Sequence, residues 1–286
     1  FTPTCYYPIA TPVFVGKVLY GMLNDDENDF TGCIFSLTPT GKKATFKEVY
    51  PFTESEGGPS NAQGKPILIG NYLYDTSFAG GADGNGSVFR YGVKTGKVEV
   101  LYRDCNGEPL KGPNDLVFDR QGGFWFTDHG KVRRRERDRG AVYYAKADGS
   151  AITEVIFPLE GPNGIGLSPD EQTLYVAETD SCRLWAFEIE APGKIRRARN
   201  ASLWSKGRLV AGLPGHQLFD SLAVDGAGNI CVATIVNGGI TVIAPDGSKI
   251  EHVAMPDALT TNVCFGGRNL RTAYITLSAT GKLVAT

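Results

Sequence analysis

A pattern that returns roughly every fifty residues limits what this chain can fold into. It reads as a turn, an apolar stretch, a second Gly or Asp turn and a short apolar-aromatic strand. One copy runs Gly112-Pro113-Asn114-Asp115-Leu116-Val117-Phe118-Asp119, then Gly122-Gly123-Phe124-Trp125-Phe126-Thr127-Asp128. The next runs Gly161-Pro162-Asn163-Gly164-Ile165-Gly166-Leu167-Ser168-Pro169-Asp170, then Leu174-Tyr175-Val176-Ala177-Glu178. Further copies start at Phe219-Asp220-Ser221-Leu222 and Thr261-Asn262-Val263-Cys264, and weaker ones lie near Thr11-Pro12-Val13 and Gly58-Pro59-Ser60-Asn61. The equivalent positions Asn61, Asn114, Asn163, Asp220 and Asn262 are separated by 53, 49, 57 and 42 residues. Each interval holds four short strands. The second half of each unit is a hairpin joined at Thr95-Gly96, Asp148-Gly149 or Asp246-Gly247.

Four-stranded units at this period predict an all-β chain, a six-bladed β-propeller with four antiparallel strands per blade around a central channel. Residues 1–286 are expected to form one such domain. An N-terminal strand near Thr4 to Tyr7 would complete the last blade, unless a C-terminal strand has been cut away. The 36 glycines suit many tight turns. No long amphipathic helix is expected, and Lys131 to Arg139 reads as a solvated loop, with a basic rim patch as the lesser alternative.

Composition excludes some functions. The 29 basic and 31 acidic residues leave a net charge of −2, against the basic excess of a nucleic-acid surface. No apolar run approaches the length of a membrane span. The expected partner is a small molecule, on a monomer or weak homo-oligomer. None of the six cysteines forms a CxxC pair, so a zinc or thioredoxin-type centre is not expected. Cys231 and Cys264 read as buried thiols, and Cys5 and Cys33 could pair if the protein is secreted. The chain begins at Phe1, and two sequons, Asn85-Gly86-Ser87 and Asn200-Ala201-Ser202, tilt the reading toward a secretory route.

In a propeller the equivalent positions of the repeats converge on one channel mouth. There Asn114, Asn163, Asp220 and Asn262 would bring oxygens together as a hard-oxygen site for calcium, magnesium or manganese. Alternatively they make turn hydrogen bonds at strand starts. An Asp among apolar neighbours favours the cation, because an unpaired buried charge is costly.

The motifs around Asn114, Trp125 to Asp128, Pro162 to Asp170 and Asp220 to Asp225 resemble the senescence-marker-protein/gluconolactonase family of six-bladed propellers, which includes regucalcin. The resemblance is strong from about Gly86 to Lys282. It implies a lactonase with one divalent cation, Ca2+ first, with Mg2+, Mn2+ or Zn2+ as alternatives. Asn163 and Asp220 would be its ligands. Asn114 would be a ligand or would orient substrate, as Asn262 would. Asp220 would be base or nucleophile, and His129 a proton shuttle near neutral pH or else a turn residue. His216 is a weaker candidate, and His252 reads as surface. The family's first-blade Glu ligand is missing, since Ala10 or Thr11 takes its place. Glu56, in Glu56-Gly57-Gly58-Pro59, imitates the motif one repeat late. That departure opens a second expectation: a biosynthetic propeller that uses no metal, a cyclase orienting an apolar substrate by shape.

Overall fold

The computed structural model describes residues 10–24, 32–41, 43–52, 58–81, 83–199, 201 and 207–286. Strands account for nearly all of its regular structure; among the described residues the only helical element is a 3₁₀ turn at Arg268–Leu270. The chain divides into two compact units, residues 1–114 and 115–286.

The first unit holds two sheets and a ribbon. Strands β1 (Val13–Val15), β2 (Val18–Leu23), β3 (Cys33–Thr40) and β4 (Lys43–Pro51) form the first sheet in chain order. The second sheet contains β5 (Pro59–Ala62), β6 (Ile67–Ile69), β7 (Tyr72–Gly80), β8 (Ser87–Gly92) and β9 (Lys97–Tyr102). A two-stranded ribbon, β10 (Asp104–Cys105) and β11 (Glu108–Pro109), follows. Alternation along each strand sends one row of side chains to each face. Met22, Ile34, Phe52, Leu73 and Phe89 meet between the two sheets as the unit's core.

The next sheet is β12 (Pro113–Phe118), β13 (Gly123–Asp128), β14 (Gly140–Lys146) and β15 (Ile152–Leu159); the first two residues of β12 close the first unit. Then come β16 (Pro162–Leu167), β17 (Thr173–Glu178), β18 (Arg183–Ala191), β19 (Lys194–Arg196) and β20 (Arg208–Gly212). The fifth sheet is β21 (Leu218–Val224), β22 (Ile230–Ile235), β23 (Gly239–Ile243) and β24 (Ile250–Ala254). The sixth is β25 (Thr260–Gly266), β26 (Thr272–Leu277) and β27 (Lys282–Ala285). Six antiparallel sheets therefore stand where six blades are expected, and the fold class is the six-bladed β-propeller. The sixth sheet has three strands among the described residues; the stretch Thr4 to Tyr7 lies outside them.

Three apolar layers join the sheets of the second unit face to face. Trp125, Val142 and Tyr144 pack on Ile165, Val176 and Phe187. Tyr175 and Leu184 pack on Phe219, Leu222 and Ile230. Cys231, Ala233 and Ile240 pack on Val263, Ile275 and Leu277. The hairpin turns are built by the repeat's own Asp. Asp119 accepts from Gln121 N (2.8 Å) and Gly123 N (3.0 Å), and Asp225 does the same for Ala227 (2.9 Å) and Asn229 (2.8 Å). Cys182, Cys231 and Cys264 are free thiols, the last only half-buried. Cys5 and Asn200 lie outside the described residues, and Asn85 sits in the turn before β8.

Candidate active site

The repeat positions fall where the spacing puts them, on the first strand of a sheet: Asn61 on β5, Asn114 on β12, Asn163 on β16, Asp220 on β21 and Asn262 on β25. The sequence did not show the local backbone. In the second unit, three of these strands carry a register shift at this position. Pairing jumps from Pro162 opposite Glu178 to Ile165 opposite Val176, so Asn163 lies in the bulge. It jumps from Phe219–Thr234 to Leu222–Val232 around Asp220, and from Thr260–Leu277 to Asn262–Thr276 beside Asn262. A bulge adds one residue to one strand and re-aims its side chain. A regular strand would have buried these polar groups in the sheet-to-sheet layer or sent them to the opposite face.

Asn163 and Asp220 sit on neighbouring strands that approach closely at a glycine. A Cβ on Gly164 would lie 2.6 Å from both the Asp220 carbonyl oxygen and the Leu222 nitrogen, so no larger residue fits. The Asn163 amide donates to Thr179 Oγ1 at 3.1 Å and also to the Asp220 carboxylate. Its Oδ1 is buried without a hydrogen-bond partner. The Asn163 carbonyl accepts from Thr127 Oγ1 at 2.6 Å, which fixes the bulge from the preceding sheet. Burial pushes the Asp220 carboxyl up to about 7, and the Asp115 carboxylate adds to the rise; the Asn163 amide and the Ser221 backbone oppose it.

In the first unit, Asn114 is buried and its carbonyl accepts a short hydrogen bond from Thr76 Oγ1. Thr76 thus does for Asn114 what Thr127 does for Asn163. Asn262 is buried, with its Nδ2 unpartnered. Thr11 and Ala10, where the resemblance leads one to expect a Glu, are both buried, and Glu56 lies outside the described residues.

The surroundings of His129 oppose titration near neutrality. Its Nε2 lies 2.9 Å from Arg137 Nη2, a permanent donor, so Nε2 accepts and the ring is neutral with its proton on Nδ1. Burial, then Arg137, lower its pKa to about 4, with Lys131 adding to the fall. The Pro162 backbone lies close enough to oppose that fall in part. These surroundings disfavour the proton exchange near pH 7 expected of His129. His216 and His252 are exposed, His252 on β24 as its sequence context predicts.

Four further residues shape the site. Asp115 and Thr127 act as described. The buried Glu178 ends β17 and accepts from Glu160 N (2.8 Å) and Ser181 Oγ (2.5 Å), holding the loop that enters β16. Arg137 holds His129. Asp115 and Thr127 adjoin motif residues, Asn114 and Asp128, and could have been found by comparing copies of the repeat. Nothing in the sequence marks Arg137 within its basic run.

Among the described residues no three His, Cys, Asp or Glu side chains gather as a metal cluster. A cation here would rest on carboxamide oxygen and one carboxylate. The orphaned Asn163 Oδ1 beside the half-buried Asp220 carboxylate fits such a hard ion; among the described residues the absence of nitrogen and sulfur donors here disfavours zinc.

Six antiparallel sheets, with polar residues on the first strands, define the class: a six-bladed β-propeller. The sequence profile of the SMP-30/Gluconolactonase/LRE-like region matches residues 76–279, and the chain belongs to this family. It is 30% identical over 231 residues to Lactonase drp35 of Staphylococcus epidermidis, a match covering 79% of this chain and 64% of that protein. The chain thus spans less than two thirds of that relative. A gluconolactonase structure from Xanthomonas campestris superposes with a TM-score of 0.69 at 22% identity, over 96% of this chain and 84% of that one. The calcium-binding protein regucalcin from Agrobacterium tumefaciens gives 0.68 at 19%, over 96% and 83%. At these identities the two structures show a shared fold.

Proposed function

We propose that this protein is a divalent-cation-dependent lactonase that opens a small lactone at the Asn163–Asp220 site. The observation that carries the reading is the juxtaposition on neighbouring bulged strands of a buried amide oxygen without a partner and a carboxylate held near pH 7. Asn163 Oδ1 and Asp220 would hold the cation, calcium before magnesium on the chemistry of the donors. When bound, the cation supplies polarisation of an ester carbonyl and acidification of water. Asp220 takes up a proton at its carboxylate, and the nearby Asp115 charge strengthens that affinity. Thr127 and Gly164 keep Asn163 and Asp220 at fixed spacing, so little reorganisation is needed on binding. Asn262 orients the substrate, and His129, held at Nε2 by Arg137, keeps its own proton.

A pH-stat assay with gluconolactone and a panel of aliphatic lactones tests this reading. Turnover at pH 7 should vanish with a chelator, return with calcium, and be lost in Asp220→Asn. Turnover that ignores the chelator would remove the cation from the mechanism, and no turnover on the whole panel would overturn the lactonase.

A further inference from the structure

Between Gly130 and Gly140 the chain forms an arm that the site described above leaves unused. Asp138 N donates to Lys131 O at 3.0 Å, Val132 bridges Arg137, and Arg133 N donates to Glu136 O at 2.8 Å. This is a small β-hairpin, where a loop is expected from sequence, with Arg134 and Arg135 as its two tip residues. Both are exposed.

Its charge is out of character with the chain. Six cations (Lys131, Arg133, Arg134, Arg135, Arg137, Arg139) and two carboxylates (Glu136, Asp138) stand in a protein whose net charge is −2. Most of the cations are spent on anchoring. Arg133 pairs with Asp138 at 2.9 Å, Arg137 with Asp180, and Arg139 with Glu160. Lys131 faces Asp128, and Glu136 faces Arg133. Among the described residues, Arg134 and Arg135 have no carboxylate of their own.

The base of the arm is latched two residues from Asn163, at Gly161. Arg137 Nη2 lies 2.9 Å from His129 Nε2, and both side chains pack on Gly161, just before Pro162 and Asn163. Gly161, at φ 62°, leaves room for this latch: a Cβ there would lie 2.2 Å from Arg137 Nη2 and 3.0 Å from His129 Cε1. An arm fastened in this way presents its tip charges at little further entropic cost, unlike a mobile basic loop.

We propose that the 131–138 hairpin is an anion-recognition arm and that this enzyme prefers lactones carrying a carboxylate or phosphate group, which Arg134 and Arg135 bind. Arginine suits this role because its planar fork donates two parallel hydrogen bonds to either group. The proposal rests on the lactonase reading for its substrate, and its test separates the two.

The test compares a carboxylate-bearing δ-lactone with its neutral methyl ester in wild type, Arg134→Gln/Arg135→Gln and Arg134→Lys/Arg135→Lys. The anionic-to-neutral ratio of kcat/KM should exceed one in wild type and fall about tenfold in the Gln variant, mainly through KM. The Lys variant should recover part of it, and salt should lower it in wild type. A ratio unchanged by the Gln variant would overturn the proposal. Calorimetry with the carboxylate-bearing lactam, which is not hydrolysed, reads the same preference without turnover. Binding lost in the Gln variant would support the arm even if no lactone is opened, and equal binding by both proteins would refute it.

Discussion

Asp220 carries opposite demands in one side chain. Its carboxyl is raised from 3.8 to about 7, chiefly by burial. Between those values the native protein holds a proton that the unfolded chain has released. The stability it contributes is therefore full below pH 3.8 and lost as pH rises through 7. In the cation-free protein at pH 8 the buried charge is a liability. Asp220→Asn should then raise Tm in chelator by about 5 °C at pH 8 and by much less at pH 5. Equal shifts at the two pH values, followed by scanning fluorimetry, would show that desolvation is not the cause. His129 has the opposite sign. Its pKa falls from 6.5 to about 4, so its contribution is full above pH 6.5 and lost as pH drops toward 4. In His129→Gln, stability should fall less steeply with acid across that window in denaturant melts, and the pH–rate profile should gain or lose no limb between 6 and 8.

At the level of strands, the site depends on bulges and their supports. Gly164→Ala would drive a methyl against the backbone of β21, and this backbone cannot yield as a side-chain tip would. The expected cost is about 1–3 kcal/mol, with a matching loss of calcium affinity because Asn163 and Asp220 move apart. Thr127→Val leaves the Asn163 carbonyl buried without its donor and should cost about 1–2 kcal/mol by urea denaturation. A variant as stable as wild type would show that the bulge holds itself. These supports were only partly legible in the sequence. The Asn and Asp positions, the hairpin turns and the strand order follow from a periodic pattern that sterics and burial enforce in every repeat. The bulges do not, because the one-residue shift they put into the alternation falls at Gly-, Asn- or Asp-containing strand starts, where there is little alternation to read. Glu178 was hidden for another reason: it sits at a strand end whose neighbours read as ordinary core.

For the whole molecule, six sheets built from one repeat explain how residues far apart in sequence share a function. The repeat brings equivalent positions to equivalent strand starts, and single substitutions then individualise them. Asp220, where the other copies carry Asn, and the Arg134–Arg135 arm between β13 and β14 are two such changes. Because the site is poor in carboxylates, its affinity for calcium should be modest, since charge count tunes such sites. Calcium at a hundredfold excess over its Kd should still stabilise wild type by about 2.7 kcal/mol, which scanning fluorimetry would read as a rise of several degrees. The most direct measurement is a calorimetric calcium titration of wild type and Asp220→Asn at pH 7. One site in wild type that disappears in the variant is the predicted result; no binding to wild type, or binding that survives the substitution, would contradict the assignment of Asn163 and Asp220 as a cation site.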